Sequence, residues 1–314
     1  VYLDAVFHPL LLTDRRIFEK EAWRWEPTAD GGVGYSGVVF NEMQGTENRP
    51  DAILWLEAMR CLFPDRYARF FSGGDPAAIP DLTYEAFTET YRRFYSTDNA
   101  IFYLSGRMDV DEPLAYLDGV LSSREATGYT APPPVAPPPP VVGPESTVYY
   151  QLGDNEEVAG NTRLLLTCVM GDGRPNEELL AMSLLSRYLS ESTESPLSGA
   201  VLDADVGQDF SMGCDGDCLQ PLVYFALNKS DPERAEDFRR IIVDTLTALV
   251  AEGLDQRRLQ ALLDNHETER RRASLRVDTG FSLMEGVIRA HVMRGDVSFP
   301  DNAELLRRRW AEDP

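Results

Sequence analysis

Eight of the 21 prolines in this 314-residue chain fall in one run of fifteen residues, Ala131 to Glu145 (APPPVAPPPPVVGPE). Proline holds φ at about −65° and carries no amide hydrogen, so such a run enters neither a helix nor the middle of a sheet. It reads as an extended, semi-rigid connector. The chain is therefore divided into two folding regions, 1–125 and 147–314, with 126–146 as the linker. The length suits two domains of about 150 residues each.

Local patterns repeat one coarse plan on both sides of that run. In the first region Leu3 to Leu12 reads as the end of an apolar helix, and Phe18 to Trp25 as a mixed amphipathic stretch. Asp30-Gly31-Gly32 is a turn signal, and Tyr35 to Met43 opens a helix or a short strand. Thr83 is placed to cap a helix through Tyr95, whose Phe87, Tyr91 and Phe94 share a face at i, i+4 and i+7. Asn99 to Ser105 is expected as a strand and Val110 to Leu121 as a helix.

In the second region Thr147 to Leu152, Arg163 to Met170 and Leu222 to Leu227 are expected as strands. Glu177 to Leu189 is expected as a helix with Leu179, Leu180, Leu184 and Tyr188 buried. Asp231-Pro232 marks a helix start with proline at its first position, and Gly253 its end. Phe238, Ile241, Ile242, Thr245 and Leu249 line its inner face. Asp255 caps a further long helix through Arg271. Strands followed by paired helices predict an α+β fold: a mostly antiparallel sheet with helices packed on one face.

A net charge of −22 argues against nucleic-acid binding, which calls for a basic footprint. The same charge serves as a solubility surface or as an acidic chamber drawing in basic peptides. No stretch approaches the roughly 18 to 20 apolar residues that span a bilayer. The opening Val1-Tyr2-Leu3-Asp4 lacks an initiator Met and a basic leader, and reads as mid-protein sequence. Cys61, Cys168, Cys214 and Cys218 are few for this length. Cys168 is expected in the core, and the C-x3-C pair Cys214/Cys218 lacks the second pair that a zinc knuckle needs. Free thiols fit a cytoplasmic location.

Two blocks are specific. Gly37-Val38-Val39-Phe40-Asn41-Glu42-Met43-Gln44-Gly45 follows Tyr2-Leu3-Asp4-Ala5-Val6-Phe7 and Glu21-Ala22-Trp23. Ser72-Gly73-Gly74-Asp75-Pro76 precedes Ile79-Pro80-Asp81-Leu82-Thr83 and, later, Phe94-Tyr95 with Asn99-Ala100. Past the linker come Ser195-Pro196-Leu197 and Gly207-Gln208-Asp209-Phe210-Ser211. In order and spacing this resembles the pitrilysin-type zinc metallopeptidases, in their presequence-protease branch, from Val1 to about Arg309. The resemblance implies two pitrilysin-like domains, the first incomplete at its N-terminus, within a four-domain clam-shaped enzyme that encloses short unstructured peptides. It implies zinc held by two His of an H-x-x-E-H helix and by a Glu that corresponds to Glu42. Three ligands leave a fourth position for water, whose pKa the metal lowers towards about 7.

The sequence departs from that pattern. It has three His only, His8, His266 and His291, and no H-x-x-E-H. In the family that helix lies upstream of the segment matching Val1, so this polypeptide is expected to bind no zinc and to be inactive as it stands. His266-Glu267-Thr268-Glu269-Arg270 nearly fits a zinc motif, but Arg occupies the second ligand position, and the segment reads as a solvated helix face. The Ser72 loop lacks a P-loop lysine and any nucleophile-elbow context, and reads as a tight structural loop. Ser195 to Phe210 reads as structure, with a peptide-binding wall as the alternative. Trp23, Trp25, Phe70 and Phe71 are core candidates with a lesser reading as substrate pockets. Two functions stay open: a peptidase, and a homologue without its metal that captures peptides or acts as a scaffold. An incomplete sheet also leaves self-association open.

Overall fold

Residues 2–124, 126–130, 143–170, 176–216, 220–273 and 275–294, with 308 and 311, are described by the computed structural model. Positions 131–142 of the proline run, Cys218 and Arg309 lie outside them. The contacts group the chain into two units. One holds Val1–Leu56 and Asp65–Ala136, the other Glu57–Pro64 and Pro137–Pro314.

In the first unit Pro9 interrupts the expected apolar helix. Helix α1 is Tyr2–Phe7, and a single 3-10 turn, Leu10–Leu12, follows. Asp14 then caps α2 (Arg15–Glu21) by accepting from the Arg16 amide at 3.0 Å. The Arg16 side chain, hydrogen-bonded to the same carboxylate, is the main reason that the Asp14 pKa falls to about 2, with the backbone bond second. A depressed carboxylate keeps its contribution above the ordinary value of 3.8 and loses it as the pH falls through about 2. An NMR titration of the Asp14 carboxyl should therefore give a midpoint near 2, with the α2 cap intact at pH 4. A midpoint at the ordinary value would refute the capping geometry.

Strands β1 (Arg24–Pro27) and β2 (Val33–Ser36) form an antiparallel hairpin that leads into α3 (Val38–Glu47) and α4 (Pro50–Leu62). The bounds of α5 (Tyr84–Phe94) agree with the expected helix. Thr83 Oγ1 accepts from the Ala86 amide at 3.2 Å, and Phe87 packs against Phe18 with centroids 5.4 Å apart. Helix α6 (Asp111–Ser122) also lies where periodicity placed it.

The expected strand Asn99–Ser105 does not form. Thr97–Asn99 is a 3-10 turn and residues 100–105 join no ladder, with Ile101 and Leu104 exposed. Thr147–Leu152 likewise lies outside any sheet, with Tyr149 exposed. Both segments have strand composition. A strand, however, is defined by its neighbour's hydrogen bonds, and neither has a neighbour among the described residues.

The second unit carries a three-stranded antiparallel sheet of β3 (Thr162–Val169), β4 (Gln208–Asp215) and β5 (Leu222–Ser230), in the order β3-β5-β4. Val223, Phe225 and Leu227 on one face of β5 join a core with Tyr188 and Leu189 of α7 (Asn176–Ser190). Leu197 and Val201 of α8 (Pro196–Asp203), Phe238 and Ile242 of α9 (Ala235–Glu252), and Leu262 of α10 (Gln256–Ala273) complete it. A last helix, α11, spans Thr279–Arg294. The class is the expected α+β one, with helices against an antiparallel sheet.

Of three local expectations, two take different forms and one is met. Asp231 does not cap the helix after it. Its carboxylate accepts from the Gly160 amide at 2.8 Å, and Pro232–Arg234 is a 3-10 turn before α9 begins. Asp255 does cap α10, accepting from the amides of Arg257 and Arg258 at 2.8 and 3.1 Å. Cys168, expected in the core, is exposed near the end of β3, whose other residues are half-buried.

Ser195, at the start of the Ser195–Phe210 segment, is part of the packed interior. Ser195 is fully buried, its Oγ accepts from the Ser192 amide at 3.0 Å and from Arg258 at 2.6 Å, and that guanidinium lies 4.8 Å from the Tyr188 ring centroid. Buried polar groups need such partners. Among the described residues no helix is long and apolar enough to cross a membrane.

Candidate functional site

Glu42 sits on α3, and the packing of that helix decides which way it faces. Phe40 and Met43 are buried on the inner side, against Ile79, with Trp23 and Val39 partly buried beside them. Glu42 is two residues from Phe40, about 200° around the helix, so it lies on the outer face. It is exposed there. Val38, one turn earlier, shares that outer face and is 49% exposed. The Glu42 backbone carbonyl accepts from Thr46 Oγ1 at 3.0 Å, which ties the helix without using the carboxylate.

The two sequence blocks meet beneath this helix. A Cβ on Gly73 would lie 2.1 Å from Met43 Sδ, so the Ser72–Pro76 loop touches α3 at the residue after Glu42. Gly74 has φ of +99°, a left-handed conformation that glycine adopts without strain. Asp75 closes the loop by accepting from the Ala77 amide at 2.8 Å. The loop is thus a buttress, as the structural reading had it. Its connection to Met43 was invisible in the sequence.

On the other side, Gly37 brings the start of α3 against the end of α2. A Cβ there would lie 2.2 Å from the Ala22 carbonyl oxygen. Trp23 then reaches across to donate its indole N–H to the Leu82 carbonyl at 3.0 Å. Of the four aromatic core candidates, Trp23 is the one that anchors. Trp25, Phe70 and Phe71 are exposed.

His8, the histidine of the first unit, is held by other partners. His8 Nδ1 lies 3.0 Å from Asp4, and its Nε2 accepts from Arg124 at 2.5 Å. His266 is on α10 and His291 on α11, both in the second unit. The near-motif around His266 is a salt-bridged helix face. Arg271 and Arg270 both hold Glu267, at 2.7 and 3.3 Å, and the Arg271 hydrogen bond leads in lowering its pKa. A carboxylate so engaged is a poor base.

Cys214 Sγ lies 3.7 Å from Met170 Sδ, and burial pushes its thiol pKa up. Among the described residues no three His, Cys, Asp or Glu side chains come together as a metal cage. One carboxylate does not fit a zinc ion, which takes four ligands. No catalytic step through a metal follows from this chain's own residues.

Comparison with known proteins places these features. Residues 81–265 match the family described as the peptidase M16 inactive domain, a range that begins after Glu42. Protein HypA of Clostridium perfringens is 30% identical over 86% of this chain and 28% of its own length. Presequence protease 1, chloroplastic/mitochondrial, of Arabidopsis thaliana is 31% identical over 85% of this chain and 25% of its own. The chain thus spans about a quarter of the length of the curated relatives it matches. In fold it is similar to the solved structure of a protease from Helicobacter pylori. That alignment has TM-score 0.62 and 15% identity, and covers 88% of this chain and 67% of that one. An M16-like peptidase from Alicyclobacillus acidocaldarius aligns with TM-score 0.61 and 16% identity, covering 86% and 62%.

Proposed function

Since the chain belongs to the peptidase M16 family, we propose that it works within a zinc metalloendopeptidase that degrades short unstructured peptides in a closed chamber, with Glu42 as one zinc ligand. The observation that carries this reading is the posture of Glu42. Its helix is locked from below by Met43 on Gly73 and by Phe40 on Ile79, and its carboxylate is left exposed. A ligand held on a rigid helix with an unburdened carboxylate is what a metal site requires. When bound, zinc supplies an activated water for peptide attack. The remaining ligands are assigned to polypeptide outside these 314 residues.

The test uses two preparations. The 314-residue chain should carry no stoichiometric zinc and no peptidase activity. The longer gene product, with an H-x-x-E-H segment upstream, should carry about one zinc per chain. In it, Glu42→Gln should lower activity by more than about 100-fold, since even outer-shell changes cost 10- to 100-fold in metal affinity. Stoichiometric zinc in the short chain that Glu42→Gln abolishes would overturn the ligand assignment. A gene product without the upstream motif would favour the second reading, a peptide-binding or scaffold homologue. The description of residues 81–265 as an inactive domain supports that alternative.

The division at 1–125, 126–146 and 147–314 belongs to the same proposal. Limited proteolysis should cut first between Arg124 and Ser146. First cleavage inside Glu233–Gly253, the helical stretch that includes α9, would refute it. Compartment is proposed as cytoplasmic from cysteine usage. The chloroplast and mitochondrion named for the Arabidopsis relative are that protein's.

A further inference from the structure

One guanidinium joins the end of α1 to the end of α6. Arg124, two residues past α6, lies 4.3 Å from the centroid of the Phe7 ring, the buried residue of α1. It also donates from Nη2 to His8 Nε2 at 2.5 Å. On its other side the same imidazole places Nδ1 3.0 Å from Asp4 Oδ1, one turn back on α1. A nitrogen that accepts carries no proton, so the hydrogen of the neutral ring sits on Nδ1 and faces Asp4. The ring is a neutral bridge between a cation and an anion.

A further proton undoes one side of that bridge. The protonated ring is a donor at both nitrogens. At Nδ1 it still faces the Asp4 carboxylate, and that bond strengthens. At Nε2 a new N–H meets the N–H of a guanidinium, and a hydrogen bond becomes a contact of like charges. Asp4 belongs to α1, so what protonation keeps lies within α1. What it loses is the tie to α6.

The surroundings do not replace the lost contact. His8 and Arg124 face an open cavity of about 650 Å³, whose other charged lining residue is Asp4. Tyr116 and Ser123 offer hydroxyls there, and that of Ser123 already donates to the Val120 carbonyl at 2.8 Å. From α5, Tyr91 donates to the Val6 carbonyl. Burial pushes its phenol pKa up, so it stays neutral.

We propose that His8 is a pH-sensitive latch: the neutral ring fastens α1 to the end of α6, and the protonated ring releases it. Both partners on α1 are exposed, with side chains of His8 and Asp4 at 68% and 80%, so the change is a local opening of α1 and leaves the unit folded.

The test is heteronuclear NMR on the 314-residue chain, whose three histidines give three imidazole signals, with His8→Gln assigning one. Imidazole is the side chain that changes charge between about pH 5 and pH 8, so those two conditions are compared. At the higher value the His8 ring should carry its proton on Nδ1. Protection of the α1 amides from hydrogen exchange, taken relative to an unstructured peptide at the same pH, should fall by about threefold at the lower value, the size of an exposed charged contact. In His8→Gln the side-chain oxygen accepts from Arg124 under both conditions, and the fall should disappear. Arg124→Gln, whose amide donates to the neutral ring and accepts from the protonated one, should lose it too. Circular dichroism checks that both variants are folded.

A neutral His8 ring protonated on Nε2 would overturn the proposal. So would α1 protection in the unaltered chain that ignores pH, or a fall that persists in either folded variant.

Discussion

Gly37→Ala should destabilise the first unit by about 2 to 4 kcal/mol, a cost typical of a steric insertion that backbone must absorb. The φ of Gly37 is 177°, ordinary extended backbone, so the penalty is not dihedral strain. It comes from approach: the new Cβ would lie 2.2 Å from the Ala22 carbonyl oxygen, 2.7 Å from its carbon and 2.9 Å from Trp23 Cα. Those are backbone atoms, and no rotamer change moves them aside. The corner between α2 and α3 must open, which pulls Trp23 from Leu82 and loosens Phe40 and Met43 from Ile79.

Thermal unfolding followed by circular dichroism should show a melting temperature lower by roughly 10 °C or more. Gly45→Ala is the internal control. It lies inside α3 with open space around the added carbon, so it should stabilise by about 0.5 to 1 kcal/mol. If both glycines respond alike, the corner is not tightly packed, and the anchoring of the Glu42 helix loses its basis.

Leu227→Ala should cost the second unit about 3 to 5 kcal/mol, the range for a leucine removed from a core that relaxes little. Leu227 is fully buried on the central strand, in one cluster with Val223, Phe225, Phe238 and Ile242. Its neighbour Gly207 shows how tight the site is. A Cβ there would lie 2.9 Å from Leu227 Cγ and Cδ2, so the leucine occupies the volume that a side chain at Gly207 would need. Chemical denaturation of the chain should locate this loss in the second unit's transition. Leu202→Ala, at 60% exposure on α8, should stay within about 0.5 kcal/mol. A small effect at Leu227 would mean that the sheet's helix-facing side is not the core.

The site shows the same split between local and distant causes. The proposal of Glu42 as a ligand rests on neighbours that form a recognisable block, since a lone Glu after Val38-Val39-Phe40 announces none. The Gly37 and Gly73 contacts that orient it join residues far apart in the chain. The β1–β2 hairpin was half-legible: Trp25 and Tyr35 alternate with polar residues, but their cross-strand pairing depends on a turn around Asp30-Gly31-Gly32 whose register composition does not specify.

What the sequence by itself determined is what short-range physics controls. Thr83 and Asp255 cap helices because the amides they satisfy lie two or three residues on, and α5 and α9 follow from apolar spacing. Tertiary structure alone decided the rest. Residues 100–105 and 147–152 have strand chemistry and no strand, because a ladder is made by a partner. Asp231 leaves its helix for Gly160, 71 positions away. Which side of α3 faces solvent depends on where Ile79 and Gly73 arrive. Hydrogen-bond partners and burial are properties of distant segments meeting, and a local pattern carries no record of them.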